Sequence, residues 1–358
     1  ICEYEYFTID GVPSVARSTI FDVAERAGVS IKTVSRVVNN EPNVRESTRE
    51  RVEKAIADLS YQPDQSARNL ASNRSHLIGL LYDDPAAYDM ISGGYILDLQ
   101  QGALKACAES RSQLLIHPCN FRNEDVGERI QSMIRQTRVS GLILAAPLSN
   151  MPNVVQAIED SGTPFVSLSP GNGGGETSSV TTNDREVCAE MTRYLAKLGH
   201  TRIAFITGDP EHLAVGTRFL GYQDGLAASG LEFSEELVAA GNNSFDSGQA
   251  CAEKLLQQEP RPTAIFAAND DMAAGALRVA NRMGIDVPGE LSIVGFDDIP
   301  LARQVEPALT SIRQPLVRMA ERAAKILLSG EKDLMDDDAG NCIPATIHIR
   351  ESTGPAPK

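Results

Sequence analysis

The 358-residue sequence predicts a small all-α head followed by an α/β body made of two doubly wound parallel-sheet lobes. Near the N-terminus, three short helix patterns are separated by capping residues and a Gly turn, with few large apolar side chains. From His76 onward, strand-length apolar runs alternate with longer amphipathic spans, the rhythm of parallel strands covered by helices on both faces. The alternations outnumber those of one mononucleotide-type sheet, so the body divides in two, as the chain length also favours.

Each element has a local reason. Thr19 and Asp22 have capping-box spacing for a helix over Ile20–Ala27. Gly28-Val29 breaks it, and Ser30 caps a second helix over Ile31–Val38 that Asn39, Asn40 and Pro42 end. Ser47 with Glu50 forms another capping box for a third helix, whose Val52, Ala55, Ile56 and Leu59 share one face. Tyr61-Gln62-Pro63 closes the head, and residues 1–17, lacking such a pattern, are expected to be a tail. In the body the expected strands are Leu77–Tyr82, Leu114–Cys119, Gly141–Ala146, Phe165–Ser169, Ile203–Thr207, Ala264–Ala268 and Ser292–Phe296. The helix-like spans between them include Leu97–Glu109, Glu124–Gln136, Asp184–Leu198, Arg218–Ala228 and Met272–Met283. Gly171–Gly175 follows a Ser-Pro step and lacks a Lys, so it suits a crossing between lobes better than a phosphate cradle.

Composition narrows the function. Apolar residues make up 42% and charged residues 23%, as in a globular protein. The net charge of −15 argues against nucleic acid until its distribution is considered. Residues 14–75 carry ten Lys and Arg against eight Asp and Glu, a surplus of two cations that leaves −17 on the remainder. A mildly basic head on an acidic body suits a protein that touches DNA with one end. The six Cys residues are scattered and the five His residues isolated, so neither a disulfide frame nor a zinc site is indicated. Asp336-Asp337-Asp338 is expected to be a solvated loop, not a metal site. No apolar run of about 18 residues and no basic start with an apolar stretch is present, so a cytoplasmic protein without membrane insertion is expected. Catalysis has little support: G-x-S-x-G, H-E-x-x-H and Walker patterns are missing, and neighbouring carboxylates such as Asp297-Asp298 seldom face one substrate.

The head carries the sharpest motif. Ala24 permits close helix approach, Gly28 supplies a positive φ, and Val29 fills the corner of a helix-turn-helix. Lys32 and Arg36, four residues apart, share the face that enters a major groove and can reach guanine O6 and N7. Ile31 can meet a thymine methyl, Thr33, Ser35 and Asn39 suit phosphates, and Thr19 and Ser30 are further candidates for DNA contact. A solvated helical hairpin docked on another domain is the blander possibility.

Ile20–Asn39, with Ala24-Glu25-Arg26-Ala27-Gly28-Val29-Ser30 at its centre, resembles the N-terminal signature of the lactose/galactose repressor family. Arg45–Tyr61 resembles that family's third helix, and Gly141-Leu142-Ile143-Leu144 its core strand. Ala267-Ala268-Asn269-Asp270, Gly295-Phe296-Asp297-Asp298 and Leu309–Pro315 resemble its C-terminal markers, so the likeness runs from about Ser18 to Ser352. The resemblance implies a periplasmic-binding-protein-like body and a regulator, expected to be a repressor, that binds palindromic operator DNA as a homodimer. It implies a helix-turn-helix domain over 18–63 and a hinge helix within 64–75, where Ala67 allows close approach, Arg68 contacts backbone and Leu70 wedges into the minor groove. The first lobe is then expected over 76–180 and 314–341, the second over 181–313 and 342–358.

A small-molecule effector, with no cofactor, is expected in the cleft at the strands' C-terminal ends. Asp83, Ser169, Asn269 and Asp297 follow strand-length runs, and the resemblance places Arg218, Asn269 and Asp297 at effector-contacting positions. Asp297 can alternatively cap a helix, as Asp270 and Asp298 are expected to do, and Arg218 can be a surface ion pair. With no Trp in the chain, ring stacking falls to Tyr82, Tyr88, Phe245 or Phe296. A sugar is the favoured ligand, with a purine or other metabolite as the alternative. A solute-binding protein without a transcriptional role and a sugar-processing enzyme are the rival classes.

Overall fold

The computed structural model of the chain describes residues 18–38, 42–61, 76–84, 93–171, 178–330 and 338–358. The chain divides into two compact units, one ending at Ser75 and the other beginning at His76.

In the head, α1 (Ile20–Ala27), α2 (Ile31–Val38) and α3 (Glu46–Asp58) enclose a core of Val23, Ala24, Ala27, Val34, Val37, Val52 and Ala55. These side chains are small, so the helices must approach closely to bury them. Thr19 and Asp22 form both halves of the expected capping box. The third helix departs from expectation. It begins at Glu46 behind an uncapped Arg45, so Ser47 lies inside the first turn and opens no capping box.

The first lobe of the body is a five-stranded parallel sheet in the order β2-β1-β3-β4-β5, comprising β1 (Leu77–Asp83), β2 (Gln113–Cys119), β3 (Gly141–Leu144), β4 (Phe165–Leu168) and β5 (Ser179–Val180). Alternate residues along a strand face opposite sides. Ile78, Leu80 and Ile143 join one core, while Leu81, Leu142 and Leu144 join the other. Both faces are buried, which is why these strands read as unbroken apolar runs. One face carries α4 (Gly94–Glu109), and the other α5 (Val126–Thr137) and α6 (Pro152–Ser161). Of Gly171–Gly175, expected at a lobe crossing, Gly171 follows β4 of this sheet and the others lie outside the described residues. The chain leaves the lobe after β5.

The second sheet runs β11-β10-β9-β8-β6-β7 and is parallel except for the edge pair β10–β11. Its strands are β6 (Ile203–Thr207), β7 (Val238–Ala240), β8 (Ala264–Ala267), β9 (Ser292–Asp297), β10 (Thr310–Arg313) and β11 (Thr346–His348). Five helices accompany it: α7 (Asp184–Lys197), α8 (Leu213–Ala228), α9 (Phe245–Leu256), α10 (Asp270–Met283) and the short α11 (Pro300–Gln304). Phe205, Tyr222 and Phe266 centre its core, and Tyr222 donates its hydroxyl to the Ile203 carbonyl at 2.7 Å, satisfying the buried polar tip. Then α12 (Leu316–Ser329) returns to the first lobe and packs on α4, its backbone at Val317 pressed so close to Gly102 that a Cβ there would collide. The short α13 (Asp338–Asn341) follows.

The chain therefore passes between lobes near 181–183, 314–315 and 342–345. Two of the passages are stitched together: Thr181 N–H donates to the Asn341 carbonyl at 2.8 Å, Ile343 N–H to Thr181 at 2.9 Å, and Ala345 N–H to the Asn183 side chain at 2.8 Å. Among the described residues, no helix is long and apolar enough to cross a membrane.

Candidate functional site

In the head, the turn between α1 and α2 is made by Gly28 at φ 63°, ψ 42°, a left-handed conformation that an L side chain adopts only at a cost. Its N–H donates to Glu25 at 3.2 Å, and the next N–H, of Val29, donates to Ala24 at 3.0 Å, closing α1. Ser30 then caps α2: its Oγ accepts from the Thr33 N–H at 3.2 Å and lies 2.9 Å from the Thr33 hydroxyl. Val34 and Val37 point inward, which leaves Ile31, Lys32 and Arg36 exposed on the opposite side of α2. Ser35 and Thr33 are half-buried at its edge. Thr19 is exposed, with its hydroxyl held by Asp22 at 2.8 Å. Asn39, Ala67, Arg68 and Leu70 lie outside the described residues.

In the body, a cavity of about 190 Å³ lies between the two lobes at the C-terminal ends of the parallel strands. Asp83 reaches it from β1, Asn269 from β8, Asp297 from β9, and Arg218 from the second turn of α8. Arg218 is the most constrained of these. Its Nε donates to Asp184 at 3.1 Å, its Nη1 donates to the Ala268 carbonyl at 2.7 Å and sits 3.8 Å from Asp297, and its guanidinium stacks 3.8 Å from the Phe296 ring centroid. It is a buried member of a charged cluster, not a surface ion pair. Phe296 is fully buried beneath it, so that ring serves the Arg and not the cavity.

Asp297 has φ 106°, an unusual backbone for a residue with a side chain. Its Oδ1 accepts from the Gln314 amide at 2.6 Å. Burial pushes its carboxyl up to about 7, against the pull of Arg218 and Gln314, with Asp271 and Asp184 adding repulsion. Burial likewise raises the Asp184 carboxyl, and Arg218 opposes it. His212, at the start of α8, is pushed down to about 3, first by burial and then by Arg218, so its ring is neutral at ordinary pH.

The expected helix caps are redistributed. Asn269 is the N-cap of α10, its Oδ1 accepting from Met272 N–H at 2.9 Å while its amide donates to the Asn243 carbonyl at 2.8 Å. Asp270, the first residue of that helix, instead accepts from Ile299 N–H at 2.9 Å and from the Ser311 hydroxyl at 2.6 Å. Nor is Asp298 a cap. It is a fully buried carboxylate held by Arg303 at 3.2 Å, Arg313 at 2.5 Å and Arg350 at 2.5 Å.

Two expected site residues stand away from the cavity. Ser169, at φ 44° after β4, is buried with its N–H on Val180 and its hydroxyl unpartnered, and it is not part of the wall. Phe245 is the first residue of α9. The capping loop before it, Asn242 to Ser244, faces the cavity, while the Phe245 ring packs on the second-lobe core with the Arg278 guanidinium 5.9 Å away. Tyr82 packs on the first-lobe core, and Tyr88 lies outside the described residues.

Residue patterns missed part of the wall. Tyr95 and Ile96 come from the first turn of α4, and Phe121 and Arg122 from the loop after β2. Arg122 crosses to the second lobe: its guanidinium lies 4.5 Å from the Phe121 ring centroid, pairs with Asp209 and has its Nε 3.9 Å from Glu211. Such a contact joins residues 87 apart in sequence, and no local spacing announces it.

Two family models match the chain: one described as bacterial regulatory proteins of the lacI family, over residues 19–64, and one described as a periplasmic binding protein-like domain, over residues 192–353. The chain is 36% identical over 315 residues to the HTH-type transcriptional regulator GalR of Escherichia coli (strain K12), covering 87% of this chain and 89% of that protein. It is 32% identical to the catabolite control protein A of Priestia megaterium, covering 94% and 99%. Among solved structures it resembles the lac repressor dimer bound to operator and the anti-inducer ONPF, with TM-score 0.78, 26% identity and coverage of 94% and 99%. It also resembles a complex of the transcriptional regulator CelR with cellobiose, with TM-score 0.68, 29% identity and coverage of 94% and 100%.

Proposed function

Given that the chain belongs to the LacI family of DNA-binding transcription regulators, we propose that a sugar held between its two lobes sets its grip on a palindromic operator. The observation that carries this reading is the buried Arg218–Asp297 pair facing the interlobe cavity at the strand ends. Guanidinium N–H groups and a carboxylate, both rigidly held, suit the paired hydrogen bonds of neighbouring hydroxyls. The complex of CelR with cellobiose supports a sugar as the ligand class, and the lac repressor dimer on its operator supports a homodimer on DNA.

In this mechanism each head occupies a half-site of the operator, reading bases with Ile31, Lys32 and Arg36 while Thr19, Ser30, Thr33, Ser35 and Asn39 meet phosphates. The segment holding Ala67, Arg68 and Leu70 takes the operator centre. The lobes have two relative orientations, and the ligand changes operator affinity only through its unequal affinity for them. A coupling of roughly 1–3 kcal/mol changes affinity about 5–150-fold.

The test pairs two measurements on the full chain. A duplex selected from a randomised pool is expected to be palindromic and bound with steep salt dependence. Thermal shift against mono- and disaccharides, nucleobases and sugar phosphates is expected to yield a stabilising sugar. That shift should disappear in Arg218→Ala and Asp297→Ala, and shrink in Arg218→Lys, which keeps a charge beside Asp184. Retained stabilisation in every variant would place the ligand elsewhere, and binding of random and selected duplexes with equal affinity would remove the DNA-reading role.

A further inference from the structure

We propose that the interlobe cavity selects an uncharged ligand and rejects the phosphorylated form of the same compound, because both cations on its described wall are already neutralised by carboxylates of the protein. The inference rests on the reading that the effector binds in this cavity. It concerns the effector's charge class.

Among the described wall residues, the cations are Arg122 and Arg218, facing the carboxylates Asp83, Asp209, Asp271 and Asp297. Arg218 is committed on three sides to Asp184, Ala268 and Asp297, and its flat face is covered by Phe296. Arg122 is committed to Asp209 across the lobes, with Glu211 beside it and Phe121 beneath. An anionic group is held by a guanidinium fork or by converging N–H donors. Here it would have to break a pair and leave an acidic side chain uncompensated in a partly desolvated space.

Two of the helix N-termini at the wall are closed by side-chain caps; the first turns of α4 and α8 carry none, and their partial charges face a described wall with four carboxylates against two cations. The first turn of α10 is capped by Asn269, and that of α9 by Ser244, whose Oγ accepts from Ser247 N–H at 3.1 Å. The start of α8 is approached by Gly171, where a Cβ would stand 2.7 Å from Leu213. Of the remaining polar atoms, Asn243 Oδ1 can only accept, which favours a ligand that offers hydrogens, while a ring nitrogen of neutral His212 can accept or donate. His212 Nδ1 and Asn243 Oδ1 belong to wall residues and are buried without a partner, and the imidazole carries no charge to attract an anion.

Asp209 is thereby the residue that sets the charge preference, since it holds the one wall cation contributed by the first lobe. The test compares the full chain with paired probes: glucose with glucose 6-phosphate, galactose with galactose 1-phosphate, ribose with ribose 5-phosphate, and adenine with adenosine monophosphate. Calorimetry is expected to show at least about tenfold tighter binding of the uncharged member of the pair that binds. Asp209→Asn, which releases Arg122, should narrow that ratio by strengthening the phosphorylated member. Glu211→Gln, at an exposed position that tolerates change, should act in the same direction and less strongly. Tighter binding of a sugar phosphate by the wild type would overturn this inference and leave the sugar reading standing. So would an unchanged ratio in both variants. Binding of adenine alone would do the reverse, and silence of every probe would overturn both.

Discussion

Asp297 has been placed where its ionisation and the fold oppose each other. Its carboxyl is pushed up to about 7 by burial, while in the unfolded chain it returns to about 3.8. A raised carboxyl keeps its proton in the folded state, so its contribution to stability is complete below about pH 4 and is lost as pH rises through about 7. Asp297→Asn carries no such charge. Its stability relative to the wild type is expected to improve by about 2 kcal/mol between pH 5 and pH 7.5, measured by urea unfolding at each pH. A difference that is flat with pH would mean that the carboxylate is solvated. His212 acts oppositely, losing stability as pH falls below about 6.5, but it is common to both proteins and cancels in the comparison. At this scale the sequence was informative for residues at strand ends. Asp83, Asn269 and Asp297 stand where apolar runs stop, and the resemblance placed Arg218 beside them. Asp184 was illegible because an Asp at a helix start looks like a favourable charge on the helix end. Arg122 and Asp209 were illegible because their pairing exists only once two lobes face each other.

Elements were legible in proportion to their length and punctuation. The first two head helices have the boundaries that Thr19, Gly28 and Ser30 imply, since each boundary has a hydrogen bond to satisfy. For α3 the Ser47–Glu50 spacing misled, because the preceding residues already adopt the turn at Arg45 and the helix starts ahead of Ser47. In the body, β5 and β7 have two and three residues, too few for a period to appear. The helix over Leu316–Ser329 carried no strand before it in its own lobe, which hid its partnership with α4. Gly28 is the element-scale test. At φ 63° a β-branched side chain is strained, so Gly28→Val is expected to cost the head roughly 1–2 kcal/mol. Hydrogen exchange should quicken in α1 and α2 while β6 and β8 keep their protection, and operator binding should fall. Unchanged exchange in the head would show that the turn tolerates the side chain.

At the scale of the whole molecule, a ligand in the body must alter what a pair of heads does on DNA. The hinge segment is the expected carrier, and Leu70 its test. Leu70→Ala is expected to weaken operator affinity by about tenfold and to reduce the bend, without changing the thermal unfolding of the body. Circularly permuted operator fragments in a gel-shift series check both. Equal affinity and equal bend would leave Leu70 without this role. One crossing passes close to the site: Gln314, between β10 and α12, holds Asp297 through its amide.

The interleaving of the two lobes along the chain bears on how the protein is made. The first sheet is complete at Val180, yet its covering helix, α12, is not synthesised until Leu316–Ser329. The second sheet lacks its edge strand until Thr346–His348. The face of the first lobe that includes Ile78, Leu80 and Val166 therefore emerges from the ribosome without α12 and waits while an entire second lobe is translated. Exposed apolar surface of this kind is what makes incomplete chains prone to aggregate. A chain ending before Leu316 lacks a cover on the first lobe and the edge strand of the second, and is expected to show loss of soluble product against the full chain.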